Sequence, residues 1–373
     1  MAVIVREQVR LSGYTTLRLG GPAARFIEAG TDEQLVAAVR AADAAGEPVL
    51  VLGGGSNLVV ADEGFPGAVV HVASRGITIA GDGDGVTVTV AAGEDWDCLV
   101  QRCVEEGLSG LECLSGIPGL AGATPIQNVG AYGHEVAETI VTVRAYDRLR
   151  DLVVELANAE CGFGYRTSTF KMRAGRHGAA ISPAAATGRF VVLGVTFRLA
   201  RDRLSAPVGY GELAGVLGVA AGGRVPAAEA RRAVLALRRG KGMVLDPEDP
   251  DSRSAGSFFT NPVLGRRQFA ELQAVAAGRL GRPAREAVPH FEAADGQVKV
   301  PAAWLIEQAG FRKGYPAGGS ARISAKHTLA LTNPGGASTA GLVALAAEIA
   351  AGVRDVFGVE LASEPVLIGV DLR

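Results

Sequence analysis

The sequence predicts an α+β chain of more than one domain, and three observations carry this. A helix, a short apolar strand and a glycine turn follow one another within residues 31–55. Alternating strands then mix with single helices and do not repeat as strand-helix-strand units. A glycine-rich stretch without periodicity, residues 200–225, separates the middle of the chain from a new run of helices. The length of 373 residues agrees, since domains of roughly 100–200 residues each make two or three.

Thr31 and Gln34 have the capping-box spacing, Leu35, Val39 and Ala42 share one face, and Gly46 supplies a stop, so a helix is predicted from Thr31 to Gly46. The apolar run from Pro48 to Leu52 ends in Gly53, Gly54 and Gly55, the pattern of a buried strand entering a turn. A second strand is predicted from Ala68 to Val72. Alternation from Val86 to Val90 marks a half-buried strand. Asp95 then caps a helix to Glu106, with Leu99, Val100, Cys103 and Val104 as its apolar face and Gly107 as its stop. Strands follow from Ile140 to Tyr146 and from Phe190 to Leu199. Gly209, Gly211, Gly215, Gly218, Gly222 and Gly223 break periodicity and set a domain boundary. Beyond it, helices are predicted from Pro226 to Arg239, from Pro301 to Ala309 and from Thr339 to Phe357, the last aligning Leu342, Leu345, Ile349 and Val353.

Composition excludes several classes. With 48% apolar and 20% charged residues the chain has the make-up of a globular protein, not of a disordered one. A net charge of -2 argues against a nucleic-acid partner, which needs a pronounced basic surface. The segment Met1 to Arg10 lacks the apolar run of a signal peptide, and nowhere do about 18 apolar residues run unbroken, so no membrane partner and a cytoplasmic location are expected. Cys98, Cys103, Cys113 and Cys161 form no C-x-x-C pair and sit among apolar neighbours, as reduced, buried, structural cysteines do. None of the five histidines has H-x-x-x-H spacing, so no metal site is expected.

Two glycine loops carry the first chemical signal. In Gly53-Gly54-Gly55-Ser56-Asn57-Leu58 the backbone can approach a ligand closely, and successive N–H groups can hold phosphate oxygens. A Rossmann fingerprint would need glycine at position 58 and a helix directly after it. Here Leu58 leads toward a strand, so that fold is not predicted. Around position 120, Gly116-Ile117-Pro118-Gly119, Gly122 and Gln127-Asn128-Val129-Gly130-Ala131-Tyr132-Gly133 crowd glycines, prolines and side-chain amides together with little charge. That composition suits backbone contacts to a pyrophosphate and amide contacts to a polar ring.

Together these loops resemble the FAD-binding half of the UDP-N-acetylenolpyruvoylglucosamine reductases. The resemblance implies FAD held between two small α+β subdomains, the fold of the vanillyl-alcohol-oxidase-like (PCMH-type) flavoproteins, followed by an α+β substrate-binding domain. It implies subdomains at 1–80 and 81–224, a substrate domain at 225–357, and a C-terminal segment, 358–373, that returns to the active site. Relatives that bind FAD covalently often place a histidine in the first loop. Ser56 and Asn57 stand there, so a non-covalent flavin is expected.

The family reduces UDP-N-acetylglucosamine enolpyruvate to UDP-N-acetylmuramate with NADPH as hydride donor, a step of peptidoglycan precursor synthesis. An enolpyruvyl ether takes a hydride at its methylene carbon and a proton at the carbon bearing the carboxylate, so an acid and an electrostatic clamp are required. Tyr165-Arg166-Thr167-Ser168-Thr169-Phe170-Lys171 matches the family's Y-R-x-S-x-F-K, whose arginine contacts the substrate carboxylate; a guanidinium suits that task because it binds in a bidentate way and stays charged. Gly256-Ser257-Phe258-Phe259-Thr260-Asn261-Pro262 resembles the segment whose serine donates the proton. The segment Gly358 to Gly369 is similar to that of the catalytic glutamate, with register on Glu364 and Glu360 as the other carboxylate; Pro365 follows where the family usually has valine.

The resemblance also implies that Lys241 meets the UDP diphosphate and that Tyr210, in Gly209-Tyr210-Gly211-Glu212, closes over the nucleotide as in the family's first type. Tyr165 and Asn261 are further expected substrate contacts, and His327 is a candidate to line the site. The competing reading is another FAD-dependent oxidase or dehydrogenase of the same fold acting on an alcohol or hydroxy acid, which would not need Arg166, Ser257 and Glu364 together. No G-x-S-x-G occurs, so a hydrolase nucleophile is disfavoured.

Overall fold

A computed structural model of the chain describes residues 4–82, 85–171, 186–281, 283, 286, 288–293 and 296–372. Five strands open it: β1 (Ile4–Arg10), β2 (Pro22–Ala29), β3 (Val49–Leu52), β4 (Leu58–Val60) and β5 (Phe65–Val72). Four of them form a sheet in the order β1-β2-β5-β3, with β5 parallel to both β2 and β3. Helix α1 (Asp32–Ala44) crosses between β2 and β3 and buries Leu35, Val39 and Ala42, the face read from the sequence. Its cap differs in detail from the capping box: Thr31 accepts from the Gln34 N–H, but the Gln34 side chain reaches Gly30 N–H, one residue further out. Such a cap is worth about 1 kcal/mol.

The second sheet is antiparallel throughout and orders its strands as Leu152–Ala157, Ile140–Asp147, Phe190–Ala200, Gly85–Ala91 and Ile77–Asp82. Its strands are β6 (Ile77–Asp82), β7 (Gly85–Ala91), β10 (Ile140–Asp147), β11 (Leu152–Ala157) and β12 (Phe190–Ala200). The hairpin β8 (Gly130–Ala131) and β9 (His134–Glu135) lies between them in sequence. Helix α2 (Trp96–Glu105) is capped by Asp95 Oδ1, which accepts from Cys98 N–H at 2.9 Å. It buries Trp96, Leu99, Val100 and Cys103. One continuous core joins α1 and its sheet to α2 and the second sheet, from Ile27 to Leu199.

One expectation fails here. Cys103, Cys113 and Cys161 are buried and free, but Cys98 is exposed. It falls off the apolar stripe of α2, between Asp97 and the buried Leu99, so the apolar residues next to it in sequence lie on another face of the helix.

Residues 200–225 contain a short helix that periodicity did not reveal, α3 (Gly211–Leu217), diluted by Gly211 and Gly215 and ended by left-handed Gly218. It packs with α4 (Ala227–Gly240) around Val208, Leu213, Ala214 and Val234, beside Cys113 and Tyr132. Helix α4 also packs on α2, where Arg231 makes two bonds to the Asp97 carboxylate, at 2.5 and 2.9 Å.

The last third is built from α5 (Arg266–Leu280), α6 (Ala302–Gln308) and α7 (Thr339–Phe357), with short strand pairs between them. Phe258, Phe259, Leu305, Ile306, Leu342, Ile349 and Val353 form its core, with Trp304 against its edge. Strand β13 (Ser254–Ser257) pairs with β14 (Ala330–Thr332), and β15 (Val366–Ile368) runs parallel to β4, Val366 opposite Leu58. The strand that follows the first glycine loop is therefore completed from the other end of the chain.

No described helix is long and apolar enough to cross a membrane, and no cluster of metal-ligating side chains occurs among the described residues.

Candidate active site

The two glycine loops meet. Gly54 lies against Gly119 so closely that a Cβ on Gly54 would sit 2.8 Å from the Gly119 Cα, and a Cβ on Gly119, whose φ is +124°, would sit 2.7 Å from Ser56 Oγ. A side-chain amide pair ties the loops, Asn57 Nδ2 donating to Gln127 Oε1 at 3.2 Å. The carbonyl of Gly119 accepts from the first N–H of α2, and the Gly116 N–H donates to Asp97. Gly54 is needed for backbone-to-backbone approach, which a residue with a Cβ does not permit, and Gly119 for its positive φ.

Between the loops runs a cavity of about 510 Å³, within the range of cofactor and ligand sites. Its wall includes Gly53, Gly54, Gly55, Ser56, Asn57, Leu58, Ile117, Pro118, Gly119, Gln127, Gly130, Ala131 and Tyr132 from the loops. It also takes in Arg166, Tyr210, Lys241, Ser257 and Glu364, so one space joins the loop residues to those read as chemical. Gly116, Gly122, Asn128, Tyr165 and Asn261 lie outside that wall. Gly122 packs against Ala92, where a Cβ would lie about 2.8 Å from the Ala92 Cα. Asn128 is buried and donates to Glu135 and to the Gly164 carbonyl, bracing the hairpin. Asn261 Oδ1 accepts from Ala302 N–H at the start of α6. Tyr165 is half exposed, with Lys299 Nζ 4.8 Å from its ring centroid.

Arg166 sits in a four-residue turn closed by reciprocal bonds between Gly164 and Thr167, with a left-handed φ of 52°. Its guanidinium donates to the Gly130 carbonyl at 3.0 Å, and its Nε is 2.9 Å from Glu364 Oε1. Lys171 Nζ donates to the Arg166 carbonyl at 2.8 Å. Burial raises the pKa of Glu364, opposed by the charges of Arg166 and Lys171; burial lowers that of Lys171. Glu360, the other carboxylate of the segment, is exposed and outside the wall. Pro365 is accommodated without loss: Glu364 N–H donates to the Phe258 carbonyl and Val366 N–H to that of Asn57, so the missing donor falls between two that are used. The first of these bonds also ties the Glu364 segment to the serine segment.

Ser257 ends β13 beside Gly256, whose φ is +78°. Lys241 lies at the C-terminus of α4, 2.6 Å from Glu212 and 5.9 Å from the Tyr132 ring centroid. The rings of Tyr132 and Tyr210 meet edge to face at 5.6 Å. His327 does line the cavity; burial and the charges of Lys241, Lys313 and Arg238 lower its pKa to about 4. It is neutral near pH 7 and so is no imidazolium acid there.

Sequence reasoning did not assign Phe170, Lys171, Ala186, Thr187, Gly188 or Arg238 to the wall. Lys171 closes the quoted Y-R-x-S-x-F-K segment and Arg238 belongs to the basic run before Lys241, so a signal existed for both. Thr187 and its neighbours lie in irregular sequence that gives none.

Residues 23–194 match the family described as FAD binding domain, and residues 247–368 match the C-terminal domain of UDP-N-acetylenolpyruvoylglucosamine reductase. Among curated relatives, the UDP-N-acetylenolpyruvoylglucosamine reductase of Thermobifida fusca is 55% identical over all of both chains. That of Streptomyces coelicolor is 56% identical over 97% of this chain and 90% of its own. The crystal structure of the Thermus caldophilus reductase superposes with a TM-score of 0.62 at 26% identity, covering 98% of this chain and all of that one. The wall also fits FAD on its own evidence: the glycines at 53–55 and 119 leave the loop backbones uncovered by side chains along a cavity of about 510 Å³, and the Gln127 amide lines it, as a pyrophosphate and a polar ring require. The chain belongs to the UDP-N-acetylenolpyruvoylglucosamine reductase family.

Proposed function

We propose that this chain reduces UDP-N-acetylglucosamine enolpyruvate to UDP-N-acetylmuramate, using FAD and a reduced nicotinamide, NADPH, in cytoplasmic peptidoglycan precursor synthesis. The observation that carries this reading is that the cavity between the glycine loops also holds Arg166, Ser257 and Glu364. Bound along the cavity lined by residues of Gly53–Leu58 and Ile117–Tyr132, FAD would supply the hydride chemistry that links the nicotinamide to the enolpyruvyl ether.

The residues do the rest. Arg166 receives the substrate carboxylate, on which negative charge grows after hydride addition, and Glu364 orients the guanidinium. Ser257 Oγ–H gives the proton to the carbon bearing that carboxylate. A hydroxyl is a weak acid, but it need only protonate a carbanion-like centre. Lys241 binds the diphosphate, and Tyr210, half exposed at the start of α3, packs over the nucleotide.

The test is spectroscopic. Purified protein should be yellow and should release its flavin on acid denaturation, since Ser56 and Asn57 offer no attachment histidine. After anaerobic reduction, the enolpyruvyl nucleotide sugar should restore the oxidised spectrum. Restoration by simple alcohols' ketone products and not by that sugar would favour the oxidase reading.

A further inference from the structure

Arg166 is an arginine held where arginine is strained. A left-handed φ, here 52°, is disfavoured for a residue with a Cβ, so neighbouring contacts must hold it. Part of that restraint is an amine: Lys171 Nζ reaches back five residues to the Arg166 carbonyl at 2.8 Å, and it lines the same cavity. The bond fixes the backbone of the turn, while Gly130 and Glu364 fix the guanidinium.

Charge points the same way. Arg166 and Glu364 alone would neutralise each other and leave nothing for an incoming anion. With Lys171 the partly buried cluster carries one net positive charge, facing the cavity. Glu135 lies near the same arginine, since a Cβ on Gly130 would be 3.2 Å from Arg166 Nη1 and 2.9 Å from Glu135 Cγ, but unlike Arg166, Lys171 and Glu364 it is outside the cavity wall. Lys171 Nζ donates to a neutral carbonyl, so that bond leaves its charge uncancelled.

We propose that Lys171 is a positioning residue for the substrate carboxylate, holding Arg166 in its left-handed turn and supplying the positive charge that Glu364 would otherwise cancel. This rests on the reading of Arg166 as the carboxylate ligand.

Lys171→Met, Lys171→Arg and Arg166→Gln holoenzymes, reduced anaerobically with dithionite, are mixed with the enolpyruvyl nucleotide sugar in a stopped-flow spectrometer. Flavin reduction by NADPH is followed separately. In Lys171→Met the ratio of saturating reoxidation rate to half-saturating concentration should fall about tenfold to a hundredfold, as loss of a charged hydrogen-bonding group does. Reduction by NADPH should be unchanged, and Lys171→Arg should recover most of the loss. If Lys171→Met does not fold, Lys171→Gln replaces it with the same expected direction. Equal slowing of both halves, or an arginine variant no better than methionine, overturns the proposal. An unimpaired Arg166→Gln overturns the reading of Arg166, whereas an impaired Arg166→Gln beside an intact Lys171→Met overturns only the role of Lys171.

Discussion

Glu364 Oε1 accepts from Arg166 Nε at 2.9 Å in a setting where burial holds the carboxyl above the usual glutamate range. A group whose folded pKa exceeds its unfolded one adds stability that is present below the unfolded pKa and lost as pH rises through the folded one. Glu364→Gln removes that titration. The melting-temperature advantage of native protein over Glu364→Gln should therefore shrink as pH rises from the ordinary glutamate range toward neutrality. A pH-independent difference between the two thermal scans would refute the raised pKa.

Ser257 is needed only after hydride has left the flavin. Ser257→Ala should leave reduction by NADPH nearly intact and slow reoxidation by the enolpyruvyl sugar by about 10² to 10⁴, or roughly 3–5 kcal/mol of barrier. Stopped-flow absorbance separates the halves. An unchanged second half removes Ser257 from the mechanism and leaves Glu364 as the acid to test.

Lys241 is paired with Glu212 and lies 5.9 Å from the centroid of Tyr132, whose ring meets Tyr210 edge to face. Lys241→Ala should raise the KM for the nucleotide sugar about tenfold and hold kcat, as loss of uniform binding does. A steep fall in kcat at constant KM would place it in the chemistry.

Gly54 has no room for a methyl group against Gly119. Gly54→Ala should part the loops and weaken FAD binding by at least about tenfold, read by flavin fluorescence on titration of apoprotein, since an overpacked contact costs about 1–3 kcal/mol. Gly46→Ala, where nothing lies nearby, should keep its flavin and show only the cost of a positive φ.

Much of the fold was legible because its signals are local. Thr31 and Asp95 cap helices by bonding to N–H groups three residues away, and α7 spans the predicted Thr339 to Phe357 with all four aligned residues buried. Helix α3 was hidden because two glycines dilute its pattern, and Cys98 was misread because neighbours in sequence lie about 100° apart on a helix. The candidate site was legible through the family resemblance in its motifs. What the motifs could not tell is geometry: that Asn128 braces a hairpin, that Asn261 meets the start of α6, and that Lys171 turns back onto Arg166. Those are long-range or backbone contacts, and residue spacing does not encode them.

The parallel pairing of β15 with β4 has a consequence for biosynthesis. A ribosome delivers the glycine loop early and its partner strand late, so the nascent chain can hold a nearly complete FAD-binding half that still lacks one edge of its loop. Tight flavin capture, and with it protection of the loop from proteolysis, should then wait until residues 366–368 have emerged. On that timing the flavin would be held only once the C-terminal domain matched over residues 247–368 has also been made.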